Sequence, residues 1–129
     1  MTTVVPVGQL AQHLQDSDAA LVVVSFCAAW CGTCREFRPL LETLAAAEPQ
    51  AVFSWADVED DAALAGDIDV ENFPTLAIFR AGQPLYFGVT LPQPQVVAQL
   101  LRVAATASAP LASIPEELTE FADQLFGER

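Results

Sequence analysis

Three cysteines stand close together in this chain, Cys27, Cys31 and Cys34, and the last two are separated only by Gly32 and Thr33. Two intervening residues let two sulfurs meet in one tight turn at the start of a helix. Peptide N–H groups at that end lack partners within the helix and the dipole there is positive, so a thiolate is favoured and its pKa falls. Cys31, at the cap, is expected to be the exposed nucleophile that attacks a disulfide. Cys34, one turn further in, is expected to be buried and to resolve the mixed disulfide. Gly32 is read as supplying backbone freedom and Thr33 as setting local polarity.

Other chemistries fit these residues less well. Cys27, Cys31 and Cys34 match the C-x3-C-x2-C spacing by which radical S-adenosylmethionine enzymes hold an iron–sulfur cluster, but such enzymes need a far larger barrel than 129 residues can build. Three thiols plus His13 reach the ligand count of a zinc site. No second cysteine pair exists, however, and His13 falls on a predicted helix distant in sequence. The acidic residues Asp57, Glu59, Asp60, Asp61, Asp67 and Asp69 lack the fixed spacing and the glycine of a calcium loop. They read as a solvated acidic face. No metal is expected, and no site for NADPH or flavin is visible, so no cofactor is expected either.

The pair needs a rigid strand before it and a helix after it. Leu21 to Phe26 is a continuous β-branched apolar run of strand length, the pattern of a central strand buried on both faces. A helix is predicted from about Thr33 to Ala47, with Pro39 inside it as a source of a kink. Val7 to Gln15 carries Val7, Leu10, Ala11 and Leu14 at helical spacing. Ala51 to Val58 reads as a second buried strand, Glu59 to Asp69 as a short helix, and Leu76 to Phe79 as a third strand. Ala81-Gly82-Gln83 is a hairpin turn into a fourth strand, Leu85 to Val89. Thr90 and Gln93 fit a capping box for a helix running to about Ala104. Strands separated by helices early, then a hairpin and a helix late, make a mixed α/β sandwich.

Residues 1–104 thus form one domain, Ala105 to Ala112 a linker, and residues 113–129 a C-terminal helical extension. Ser113 to Glu116 match a second capping box, and Ile114, Leu118, Phe121 and Leu125 form a narrow apolar stripe. That stripe suits a helix packed on its own domain. It equally suits a docking helix for a partner or for a second protomer in a homodimer.

Composition excludes several classes of function. The chain has 129 residues, enough for one domain with a real core, and is 53% hydrophobic. Seventeen acids face five bases, all arginine, for a formal charge of −12. Such a charge repels nucleic-acid phosphates and anionic membrane surfaces. The longest apolar run, Leu21 to Trp30, is broken by Ser25 and is too short to cross a bilayer. Residues Met1 to Gly8 carry no basic segment leading into an apolar one, and three cysteines are not a disulfide framework, so a cytoplasmic location is expected.

From Val7 to Ala104 the chain resembles the thioredoxin family. The resemblance rests on Trp30-Cys31-Gly32 with Cys34 (the WCGTC stretch), Pro39 five residues after Cys34, the later Phe73-Pro74-Thr75, and Gly88 after the last strand. It implies a thioredoxin fold, a central mixed β-sheet flanked by helices, here with an added C-terminal helix. It also implies a cis Phe73–Pro74 bond facing the sulfurs, which is the usual setting for a cis peptide; proline lacks the N–H that would tie up a thiolate. The implied groove, lined by Trp30, Gly32, Thr33, Phe73, Pro74, Thr75 and the backbone around Gly88, would hold an extended substrate strand.

Four positions depart from the family pattern. Thr33 replaces the proline usual in thioredoxin itself. Ser25, six before Cys31, replaces a buried aspartate, and a hydroxyl cannot take the Cys34 proton as a carboxylate could. Trp55 stands where a lysine usually accompanies that aspartate, as in a repacked apolar pocket. Cys27 replaces a tryptophan and reads as a small buried hydrophobe or as a third redox thiol. The resemblance implies a thiol–disulfide oxidoreductase that reduces protein disulfides, drawing electrons from a thioredoxin reductase or a glutathione system. The alternative is a protein-binding or chaperone-like module whose thiol pair is a sensor or vestigial.

Overall fold

The first described element is a strand that its sequence does not announce. In the computed structural model, which describes residues 4–15, 21–28, 31–48, 50–58, 75–80, 82–89, 93–111 and 113–126, Val4–Pro6 (β1) pairs in parallel with Ala51–Asp57 (β3). Three residues ending in proline carry little strand signal, and proline is tolerated because β1 is an edge. Ser54 Oγ reinforces the pairing by donating to the Val5 carbonyl at 2.7 Å. Val7–Gln15 (α1) follows directly. Leu21–Cys27 (β2) is buried along its whole length, as its apolar run predicts, and lies between β3 and Thr75–Arg80 (β4). Gln83–Val89 (β5) returns antiparallel to β4 through Gly82, whose φ of 80° is the left-handed conformation that a tight turn asks of glycine. The sheet order is β1-β3-β2-β4-β5, parallel on the β1–β3–β2 side and antiparallel from β2 onward.

Alternation along β2 sends successive side chains to opposite layers. Leu21 and Val23 meet Phe37, Leu41 and Leu44 of Gly32–Ala47 (α2) and Val97 and Leu101 of Pro94–Thr106 (α3). Val22, Val24 and Phe26 face the other way, with Val7 and Leu10 of α1. Glu116–Phe126 (α4) completes this second layer. Its stripe of Leu118, Phe121 and Leu125 is buried on the chain's own sheet. Phe121 stands edge-on to Phe26 with ring centroids 5.4 Å apart. Each large apolar side chain so buried contributes about 1.5–3 kcal/mol, which is ample to hold an eleven-residue helix in place.

Two helix starts differ from expectation, and proline is the cause in both. α3 begins at Pro94, with Gln93 as its extended N-cap (φ −128°, ψ 129°) and no side-chain cap bond, so Gln93 is not the third residue of a capping box. Proline at the first helical position presets the helical φ and drives the residue before it to extended backbone. α4 begins at Glu116, and the peptide N–H groups of Leu118 and Thr119 donate to the Pro115 carbonyl, so Ser113 does not cap it. α3 also continues through Thr106, two residues past the predicted end. The expected linker after it is tied down rather than free. Arg80 of β4 donates to the carbonyls of Ala104, at 2.6 Å, and of Ala107. The Leu111 N–H donates to the Leu85 carbonyl at 2.7 Å. The expected short helix over Glu59 to Asp69 lies outside the described residues. No helix among the described residues is long and apolar enough to cross a membrane.

Candidate active site

β2 ends at Cys27, and four residues later Cys31 caps α2. Its backbone is extended (φ −84°, ψ 119°), its carbonyl accepts from the Arg35 N–H at 3.2 Å, and its own N–H donates to the Ala28 carbonyl at 3.0 Å. The strand end and the helix start are thereby locked into one turn. Cys31 is partly exposed, whereas Cys34 and Cys27 are fully buried; all three are thiols.

The environment separates the two motif thiols. The Cys31 thiol is held below its ordinary pKa, first by the Cys34 peptide N–H, then by the Cys34 thiol, the Thr33 N–H and the Arg35 guanidinium; partial desolvation opposes them without prevailing. The Cys34 thiol is pushed up, chiefly by burial, although the Cys27 thiol and the Ala28 N–H both favour its charged form. Burial likewise pushes the Cys27 thiol up, well beyond the range in which it would ionise at neutral pH. The outer thiol is therefore the more easily ionised, and the thiol one turn behind it the less so.

Gly32 has an ordinary helical backbone, not the left-handed one, and an added Cβ would meet only Arg35 Nη2, at 3.9 Å. Its expected role of supplying backbone freedom is therefore not what the fold requires. Gly32 and Thr33 are exposed beside Cys31. Trp30, Phe73 and Pro74 lie outside the described residues. Thr75 is buried at the start of β4, in register with Phe26 of β2 and Val89 of β5. Gly88 follows one step along, paired with Leu76, and a Cβ there would lie 2.9 Å from Tyr86 Oη. The glycine thus lets the Tyr86 ring lie close over β5.

Behind the pair, Ser25 is fully buried and its Oγ lies 3.5 Å from Cys27 Sγ. Trp55 is the register partner of Ser25 on β3 and packs half-buried against the α2 layer, as an apolar replacement should. Asp57, expected on a solvated acidic face, is instead only 8% exposed, because it ends β3 in register with Cys27. The other acids of that expected face lie outside the described residues. Among the described residues no group of three or more His, Cys, Asp or Glu is arranged to hold a metal ion.

Several contributors escape a reading by residue type. Ala28 acts through its backbone alone and leaves no signal. Arg35 could have been flagged as a cation following the pair. Val89 is a large apolar side chain, 54% exposed, beside Thr75.

A family model described as Thioredoxin matches residues 3–100. The chain belongs to the thioredoxin family. A thioredoxin variant from Halobacterium salinarum superposes with a TM-score of 0.67 at 30% identity, over 84% of this chain and 95% of that one. The thioredoxin of Chlamydia pneumoniae is 32% identical over 83 residues, 64% of this chain and 81% of the relative. Bovine protein disulfide-isomerase A4 is 32% identical over 107 residues, 80% of this chain but only 16% of that much longer protein. The thioredoxin match stops at residue 100, so α4 lies beyond it. Membership of the thioredoxin family supports a thiol–disulfide oxidoreductase role in general terms.

Proposed function

We propose that the chain reduces protein disulfides through a Cys31/Cys34 dithiol relay. The observation that carries this reading is the split between the two thiols: Cys31 partly exposed with its thiolate favoured, Cys34 buried one turn behind with its thiol favoured. The Cys31 thiolate attacks one sulfur of a substrate disulfide. The substrate S–S bond breaks, a mixed disulfide forms, and the first substrate sulfur leaves and takes up a proton. Cys34 then loses its proton and attacks Cys31 Sγ. The Cys31–Cys34 bond forms, and the second substrate sulfur leaves as a thiol. Two electrons have passed to the substrate, and either the dithiol of a thioredoxin reductase or two thiols of a glutathione system return two electrons and restore the pair.

The partners that fit are disulfide-containing proteins whose contact surface is neutral or basic, since the chain carries −12. Partner or dimer contacts through α4 would use its polar side, because its apolar stripe is buried on the sheet. Cysteine usage favours a reducing, cytoplasmic setting.

The test is turnover of a protein disulfide with dithiothreitol as the electron donor. Cys31→Ser should abolish it, and Cys34→Ser should accumulate a mixed disulfide through Cys31. Turnover that survives Cys31→Ser, or a Cys34→Ser variant that traps no mixed disulfide, refutes the relay. Absent turnover in the wild type, with partner capture surviving Cys31→Ser, favours the binding-module reading.

A further inference from the structure

The acids of this chain are unevenly placed. From Ala81 to Pro115 there is none, and Arg102 is the single charged residue. The remainder sets seventeen acids against four arginines, a charge of −13. The uncharged stretch builds one flank of the molecule. β5 is an outer edge of the sheet, α3 covers one face through Val97 and Leu101, and the segment after α3 reaches β5 at Leu85. Among the described residues, the large apolar side chains left exposed are Val89, Val103 and Leu111, the last two 40% and 37% exposed. All three fall within this stretch. Exposed apolar surface gathered in one place marks a contact site, whereas single apolar residues scattered over a surface need no explanation. Arg102 is turned onto its own helix, donating to Gln99 Oε1 at 2.7 Å.

The flank is also held in place. Arg80 donates to the carbonyls of Ala104 and Ala107, and the Leu111 N–H donates to the Leu85 carbonyl. The exposed Ser108-Ala109-Pro110 between these anchors is fixed at both ends, so a surface that associates here has little freedom left to lose. Arg80 pairs with Leu21, at the end of β2 opposite Cys27, so Val103 and Leu111 lie toward the end of the sheet remote from Cys31.

We propose that this flank is where two copies of the chain meet, with Val103 of α3 and Leu111 at the centre of the contact. Charge selects the occupant. A basic partner is drawn to the acidic remainder, and the acidic faces of two copies repel one another. The flank from Ala81 to Pro115 is the surface at which two copies approach without that repulsion, and a two-fold axis sets uncharged surface against uncharged surface. The α4 stripe does not serve instead, since it is buried on its own sheet. The pairing involves no thiol and leaves Cys31 open in each copy.

The experiment is analytical sedimentation of the reduced full chain from micromolar to millimolar concentration, in about 20 mM and about 500 mM sodium chloride. The expected result is a dimer that tightens at the higher salt, because screening weakens the repulsion between two bodies of like charge and spares the apolar contact. Leu111→Glu and Val103→Glu each place a carboxylate in the contact and should raise the dissociation constant at least about tenfold. Both positions are exposed, so each variant should melt as the wild type does, which calorimetry checks. Glu120→Gln on α4, outside the flank, should leave the dimer at least as tight. A chain that stays monomeric at every concentration and salt overturns the proposal. So does a dimer that both substitutions leave intact, since the contact then lies on another face. A dimer that loosens as salt rises is held by ion pairs and overturns it equally.

Discussion

The Arg38 guanidinium of α2 lies 4.9 Å from the centre of the Trp55 ring on β3, and Trp55 is in register with Ser25. A cation over an aromatic face thus closes the layer beside the buried serine, and Glu42 one turn on pairs with the same guanidinium at 3.5 Å. The Arg38–Trp55 contact should couple the two elements by about 0.5–1 kcal/mol, because it is only partly desolvated. A double-mutant cycle of Arg38→Ala and Trp55→Leu, read by urea unfolding, measures it. Additive effects would mean that the ring merely packs.

The reduced protein should gain stability from Cys31 as pH rises. Its folded pKa lies below the ordinary thiol value. Its contribution is therefore absent at pH below the folded pKa, grows between the folded and unfolded values, and is complete above the latter. Cys34 acts with the opposite sign: its raised pKa contributes stability below the ordinary thiol value that is lost as pH rises through the folded one. In the window just below the ordinary thiol pKa, the stability of the wild type relative to Cys31→Ser should climb with pH. Urea midpoints of both reduced proteins at stepped pH provide the measurement, and parallel curves would contradict it.

Phe121→Ala should cost about 3–5 kcal/mol of unfolding free energy, since the ring is buried between Phe26 and Phe79 at centroid distances of 5.4 and 6.3 Å. Thiol reactivity of Cys31 at temperatures below the lowered melting point should stay as in the wild type, because Phe121 packs in the layer opposite α2. Calorimetry beside alkylation kinetics separates the two effects.

Val89 offers an exposed apolar surface next to Thr75 at the end of β5. Val89→Asp should raise KM for a protein disulfide roughly three- to tenfold with kcat little changed, as expected when uniform binding contact is lost. Steady-state kinetics with a protein substrate and with a small disulfide decide the matter. Equal losses on both would mean that the substitution disturbs the site itself.

The central strands were legible because burial on both faces leaves an uninterrupted apolar run, as in Leu21 to Phe26 and in Leu76 to Phe79. The turn was legible because Gly82 is the residue that a positive φ demands. β1 was not, since three residues at an edge carry too little pattern. The starts of α3 and α4 were misplaced because capping-box spacing was weighed without Pro94 and Pro115, which fix where a helix can begin. At the site, the pair and its order of exposure followed from Cys31 and Cys34 alone. The burial of Asp57 did not, because an acid at a strand end looks like any other surface acid until the register sets it beside Cys27.

The placement of α4 bears on how the chain acquires its structure during synthesis. Val22, Val24, Phe26, Ala77 and Phe79 belong to a layer that is completed by Leu118, Phe121 and Leu125, which leave the ribosome well after them. Contacts between such distant parts of a chain form slowly, and an apolar surface awaiting its cover invites association. A nascent chain that has already emitted every residue matching the family still presents that uncovered layer. This layer therefore closes only once α4 has been made, and a protein truncated before α4 would aggregate even with Cys31 and Cys34 intact.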